Sequence, residues 1–261
     1  MSSAPEANPP ATPEATPEAN PEATPEATPE ATPSPAGQDE TPESTERTSV
    51  LVVDDDSWTT RAVAATLSDA GTFRVLAPVH SGEEAVAAFA GERPDLVLMD
   101  VNMPPGMSGV DATAAIMDLE PDARVVLLTT VSPGPGLARG LEAGALAVLN
   151  KTAGERELVS IVRAASAGES PELLTGLAED LVISGDHLPD APGAAPQLTA
   201  REMDLLALLC QGHGYEEIAA AQSVAMSTVK SHARNLRTKL GARNLAQLVV
   251  RALQFKFFSP E

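Results

Sequence analysis

Cysteine is nearly absent from this chain of 261 residues; Cys210 stands alone. No intramolecular disulfide can form, and the leucine-rich neighbourhood of Cys210 makes it a core thiol rather than a nucleophile. The four histidines, His80, His187, His213 and His232, are scattered without ligand spacing, so no His/Cys metal cluster is indicated. No apolar run approaches the length of a membrane span, and the N-terminus lacks the basic and apolar regions of a signal peptide. A soluble, cytoplasmic protein is expected. Cations are also scarce, with 17 Lys and Arg against 37 Asp and Glu and a formal net charge of −20. Spread evenly, that charge would exclude nucleic acid as a partner. It is not even. Residues 198–261 carry a net +3 and residues 1–197 a net −23. No acidic residue lies between Glu217 and Glu261, whereas Lys230, Arg234, Arg237, Lys239, Arg243, Arg251 and Lys256 all do. An acidic front and a basic back suggest two jobs, and the length suits two domains.

Residues 1–47 are low-complexity, with Pro-Glu-Ala-Thr recurring from Pro13 to Pro33 and Asn20 replacing one threonine. Proline at every fourth position blocks helix and sheet, and too little apolar surface is present to offset chain entropy. An extended, acidic, disordered tail is expected, with a solubilising or spacing role favoured over docking.

From Ser49 the texture changes. Val50–Val53, Phe73–Ala77, Leu96–Asp100, Val125–Thr129 and Leu146–Asn150 read as five strands, most of them unbroken apolar runs suited to burial on both faces. Helical patterns alternate with them: Ser57 to about Ala70 with Ser57 as N-cap, a helix opened by Ser81 and Glu84 at capping-box spacing, Ser108 to Leu119, and Gly154 to Ala167. Five strands alternating with five helices make a doubly wound parallel α/β sheet. Right-handed crossovers then bring the strand ends Asp54/Asp55, Asp100, Thr129 and Lys151 to one edge. Carboxylates held together in a cleft repel one another and seek a cation. Oxygen ligands with open water positions suit Mg²⁺. A lysine and a hydroxyl in the same cleft can hold phosphoryl oxygens, and phosphoryl transfer needs little beyond in-line positioning and charge neutralisation. Asp56 reads as a helix-start acid only.

Residues 49–168 resemble the receiver domain of two-component response regulators. The resemblance implies Asp54 and Asp55 as the acidic pair for Mg²⁺, Asp100 as phospho-acceptor and metal ligand, and the Asn102 backbone carbonyl on the metal. It also implies Thr129 as switch hydroxyl, Lys151 as the phosphate-contacting lysine, and a sensor histidine kinase as phosphoryl donor. Three departures stand out. Met103-Pro104-Pro105-Gly106 reads as a one-residue insertion in the loop after Asp100. Val148 occupies the place of the usual switch aromatic. The loop Val-Ser-Pro-Gly-Pro-Gly after Thr129 should shorten and loosen the fourth helix.

Residues 171–197 read as a linker, with a short helix expected between Pro171 and Val182 and a flexible second half. Beyond it, residues 198–261 read as an all-α helix-turn-helix domain. Thr199 caps a first helix carrying Leu205, Leu206, Leu208 and Leu209; Tyr215–Gln222 follows; Ser227 to Leu240 is a third helix ended by Gly241. On that third helix Val229, Ala233, Leu236 and Leu240 form a narrow apolar stripe, while Lys230, Ser231, Arg234 and Thr238 lie opposite. Long cations and small hydroxyls on one face suit phosphates and base edges in a major groove.

Residues 198–254 resemble the LuxR/FixJ-type output domain, also called NarL type, on Leu-Thr-Ala-Arg-Glu, Glu-Ile-Ala, Ser-Thr-Val-Lys-Ser-His and Lys-Leu-Gly-Ala. The resemblance implies that Lys230, Ser231 and Arg234 face bases and that Thr228, His232 and Lys239 meet the backbone of double-stranded promoter DNA. A last helix, about Asn244–Gln254, would dimerise through Leu245, Leu248, Val249 and Ala252. RNA polymerase is a further partner on this reading. The whole is therefore expected to be a tail (1–47), a receiver (48–170), a linker (171–197) and a DNA-binding domain (198–261). The expected function is a transcriptional response regulator switched by Mg²⁺-dependent phosphorylation of Asp100, not an enzyme with substrate turnover. The three departures motivate an alternative, a DNA-binding regulator that works without phosphorylation. A second alternative makes the acidic pocket a Mg²⁺ hydrolase site and the back end a protein-interaction module.

Overall fold

Apolar runs without alternation become strands that are covered on both sides. In the computed structural model, which describes residues 47–130, 136–168, 170–185, 188 and 190–260, five such strands form one parallel sheet. They are β1 (Thr48–Val53), β2 (Phe73–Val75), β3 (Leu96–Asp100), β4 (Val125–Thr129) and β5 (Ala147–Asn150), in the order β2-β1-β3-β4-β5. Apart from Arg47, the tail expected over 1–47 lies outside the described residues, as do 131–135 of the loop after Thr129. Around the sheet run α1 (Ser57–Asp69), α2 (Gly82–Glu92), α3 (Gly109–Leu119), α4 (Leu137–Ala143) and α5 (Glu155–Ala167). Alternate residues of each strand feed two cores. Leu51, Val53, Val97, Met99, Val125 and Leu127 meet α2, α3 and α4, while Val50, Val52, Leu96, Leu98, Val126 and Leu128 meet α1 and α5. The shortening of α4 expected from the Pro-Gly pairs is present: it has seven residues, against eleven or thirteen in the other four.

Three local expectations are corrected. Asp56, not Ser57, caps α1, its carboxylate accepting from the Trp58 N–H at 2.9 Å. β2 stops at Val75 rather than Ala77, although the Leu76 and Val79 N–H groups still donate to β1 carbonyls. Pro78 between them has no N–H, so a continuous ladder cannot form. The helix expected over Pro171–Val182 is split into a 3-10 turn, Pro171–Leu174, and α6 (Leu177–Ile183).

The all-α portion contains α7 (Ala200–Cys210), α8 (Tyr215–Gln222), α9 (Met226–Leu240) and α10 (Leu245–Gln254). Thr199 and Glu202 close a full capping box on α7, and Gly241 ends α9 at φ +65°. Leu174, Leu177 and Leu181 of the linker join the leucines of α7 and α10 in one buried cluster, and the described residues form a single packed unit. Among the described residues no helix is long and apolar enough to cross a membrane.

Candidate functional site

Sheet register sets the site. Val53 pairs with Met99, Asp100 with Leu128 and Thr129 with Asn150, so the C-terminal ends of β1, β3, β4 and β5 lie side by side. The order of the sheet reverses around β1 and β3, where open α/β sheets form their crevice. Asp54, Asp55 and Asp100 each offer a carboxylate oxygen within 4.8 Å of the others. Asp54 is fully buried and Asp100 is 5% exposed, whereas Asp55 is open to solvent.

Lys151, the first residue after β5, reaches into this crevice. Its Nζ lies 2.6 Å from Asp54 Oδ2 and 3.0 Å from Asp100 Oδ1. Its own N–H donates to the Thr129 carbonyl at 2.7 Å, which ties the ends of β4 and β5 together. Asp54 Oδ1 accepts from the Asp56 N–H at 2.9 Å, and the Asp54 carbonyl accepts from His80 Nδ1 at 2.8 Å. Burial is the main influence on Asp100 and raises its carboxyl pKa, with the Asp54 charge acting in the same direction. Hydrogen bonds from Lys151 and from the Asn102 N–H pull it part of the way back. For Lys151 burial alone would lower the ammonium pKa, but the bonds to Asp54 and Asp100 outweigh it and raise it.

Oxygen donors of this kind fit a hard divalent cation with open water positions, not a thiolate- or imidazole-seeking metal. Thr129 sits half-buried at the end of β4, one strand from Asp100. Val148, in β5, is half-buried as well. The loop after β3 is held from α2, where the Glu83 carboxylate accepts from the Met107 N–H at 2.9 Å. Gly109 is a site-forming residue that sequence reasoning did not single out. A methyl group there would lie 1.7 Å from the Asp100 carbonyl oxygen, so only glycine lets α3 start this close to β3.

The second candidate surface is α9. Val229, Ala233, Leu236 and Leu240 are all buried, as the apolar stripe requires. Lys230, Ser231, His232, Arg234 and Thr238 are exposed and Thr228 is half-exposed. Lys230 Nζ lies 5.7 Å from the ring centre of Tyr215, and Lys239 Nζ lies 2.6 Å from Glu202 Oε1. Leu245, Leu248, Val249 and Ala252 of α10 are all buried. A polar stripe formed by Asn244, the N-cap of α10, with Gln247, Arg251 and Gln254 contacts Glu142 in the last turn of α4 and the Gly144 and Ala145 carbonyls just after it. Its spacing of three, four and three residues was visible in the sequence; its partner was not.

A family model described as the response regulator receiver domain matches residues 50–163, and one described as bacterial regulatory proteins, luxR family, matches residues 196–252. The response regulator protein VraR of Staphylococcus aureus (strain NCTC 8325 / PS 47) is 33% identical over 208 residues, covering 78% of this chain and 96% of that protein. Among solved structures, the response regulator ChrA of a heme-sensing two-component system is similar at 26% identity and a TM-score of 0.44, over 81% of this chain and 99% of that one. A LuxR-family DNA-binding response regulator from Staphylococcus aureus is similar at 25% identity and a TM-score of 0.43, over 46% of this chain and 98% of that one.

Proposed function

The chain belongs to the response regulators that join a receiver domain to a LuxR-type DNA-binding domain, and on that footing we propose that it is a transcription factor switched by phosphorylation of Asp100. The observation that carries the proposal is the meeting of Asp54, Asp55, Asp100 and Lys151 at the carboxyl edge of the sheet. In the proposed step an Asp100 carboxylate oxygen attacks the phosphorus of a histidine kinase's phosphohistidine in line. A P–O bond forms, the P–N bond breaks, and the imidazole nitrogen leaves with the electron pair. Lys151, already 3.0 Å from Asp100 Oδ1, holds a transferred phosphoryl oxygen, and the Thr129 hydroxyl donates to another. Asp54, Asp55, Asp100 and the Asn102 carbonyl would hold Mg²⁺, which when bound neutralises charge on the phosphoryl oxygens.

The output of the switch is DNA binding by α9. Lys230, Ser231 and Arg234 read base edges, while Thr228, His232 and Lys239 contact phosphates, Lys239 exchanging Glu202 for a phosphate oxygen. A second copy pairs through α10, so the dimer reads an inverted repeat. Promoter DNA, a sensor histidine kinase and RNA polymerase are the partners on this reading, in the cytoplasm.

Fluorescence anisotropy on a selected DNA site, with and without Mg²⁺ and a small phosphodonor, tests the output. Phosphodonor should tighten binding by the wild type and leave Asp100→Ala unchanged, and Arg234→Ala should cost about 1–3 kcal/mol. Equal affinity of wild type and Asp100→Ala in all conditions would favour the phosphorylation-independent regulator, for which Val148 and the short α4 are the supporting observations.

A further inference from the structure

Tyr215 is the single tyrosine of the chain and the first residue of α8. It stands beside the reading helix. Lys230 Nζ lies 5.7 Å from the centre of its ring, within the reach of a cation–π contact. Among the described residues no carboxylate lies within ion-pair distance of Lys230. Lys239, on the same helix, is held instead by Glu202 Oε1 at 2.6 Å. The two partners have different consequences for DNA. A carboxylate neutralises the ammonium and must be given up before the lysine meets a phosphate or a base. A ring face attracts the ammonium through its quadrupole and leaves the charge in place.

The ring is itself held in place. Tyr215 is half-buried and packs against the core cluster that contains Ile218, Ala219 and Val229. Before it, the N-cap Gly214 donates its N–H to Glu217 Oε2 at 3.1 Å, within the first turn of α8. A methyl group on Gly214 would lie 2.5 Å from Glu172 Oε1, so the start of α8 also sits close against the linker. Lys230, by contrast, is exposed and carries its ammonium on a flexible four-carbon stem. Fixing such a side chain against a base costs conformational entropy, and a partner that holds it beforehand reduces the cost.

We propose that Tyr215 is a positioning residue for base reading: its ring presents the Lys230 ammonium to one guanine of the DNA site. The proposal rests on the reading of α9 as the DNA-binding helix given above. Guanine follows from the donor count. An ammonium has donors only, and guanine alone offers two acceptors, N7 and O6, on its major-groove edge. Tyr215 touches no base in this arrangement; it acts through Lys230.

The test uses the full chain with Mg²⁺ and a small phosphodonor, on a duplex selected by the wild type from random sequences. Wild type, Tyr215→Phe, Tyr215→Leu, Lys230→Ala and the Tyr215→Leu, Lys230→Ala double variant are compared by fluorescence anisotropy, and thermal melting verifies that each is folded. Each guanine is replaced in turn by 7-deazaguanine, which lacks the N7 acceptor. One replacement should weaken wild-type binding at least about fivefold and leave Lys230→Ala unaffected. Tyr215→Leu keeps an apolar side chain but no ring; it should bind the unmodified site about two- to fivefold more weakly and respond less to that replacement. Tyr215→Phe keeps the ring and should match wild type. In the Lys230→Ala background, Tyr215→Leu should cost nothing more. A Tyr215→Leu variant equal to wild type, a loss that persists without Lys230, or a Tyr215→Phe variant as weak as Tyr215→Leu would overturn the positioning role while DNA reading by α9 stands. The reading of α9 fails separately, and the proposal with it, if the wild type selects no site or if Lys230→Ala binds and discriminates as the wild type does.

Discussion

Asp54 and Asp100 bring two carboxylates out of water within one crevice, and Lys151 is the cation that both of them contact. Removing one member of a buried charged cluster leaves the others uncompensated, a larger effect than the loss of a surface pair. Lys151→Ala should therefore lower stability by about 3 kcal/mol in metal-free buffer. If the crevice is a Mg²⁺ site, added Mg²⁺ should restore part of that loss by binding the folded state. Denaturant melts with EDTA and with Mg²⁺ provide the comparison; a Lys151→Ala variant as stable as wild type, or blind to Mg²⁺, contradicts this account of the crevice. Much of the site was legible one residue at a time, since Asp54, Asp55, Asp100, Thr129 and Lys151 each end a strand or follow it directly. Gly109 was not, because its role is a close approach between α3 and β3 that no local pattern encodes.

At the scale of elements, strands β3 and β4 were readable to the residue because buried parallel strands are unbroken apolar runs with sharp polar ends. The end of β2 and the cap of α1 were less so, since each depends on which of two adjacent groups the backbone engages. The packing of α6 and the contact between α4 and α10 were hidden. Polar residues on a helix read as a solvated face until tertiary structure supplies a partner. The capping box of α7 was readable only as Thr199, and Glu202 proves to be its second half. The Lys239 hydrogen bond, followed by those from the Thr199 backbone and hydroxyl, lowers the Glu202 carboxyl pKa from 4.5 to about 2. A depressed carboxylate contributes stability that is present above its unfolded pKa and lost as pH falls through the folded one. Melting temperatures of wild type and Glu202→Gln should thus differ near pH 6 and converge between pH 4.5 and about 2. A difference that persists unchanged at the acid end would contradict the assignment.

Over the whole molecule the charge is divided by job. Residues 2–46 contain ten acidic residues and no Lys or Arg, half of the formal charge of −20, while the DNA-reading end is basic. Long-range repulsion between that acidic segment and a polyanion slows encounter and is screened beyond about 10 Å at 0.1 M salt. Deleting residues 2–46 should raise the association rate with DNA by about tenfold at low ionic strength, the gain vanishing at high salt. Stopped-flow binding across a salt series would show it, and a rate indifferent to the deletion would leave the segment no electrostatic role. All of this presupposes that the crevice accepts a phosphoryl group, and intact-mass spectrometry tests that most directly. After incubation with Mg²⁺ and a small phosphodonor, the wild type should gain the mass of one phosphoryl group and Asp100→Ala should gain none. An adduct on both proteins would contradict Asp100 as the acceptor; an unmodified wild type, even with its own kinase as donor, would contradict the switch itself.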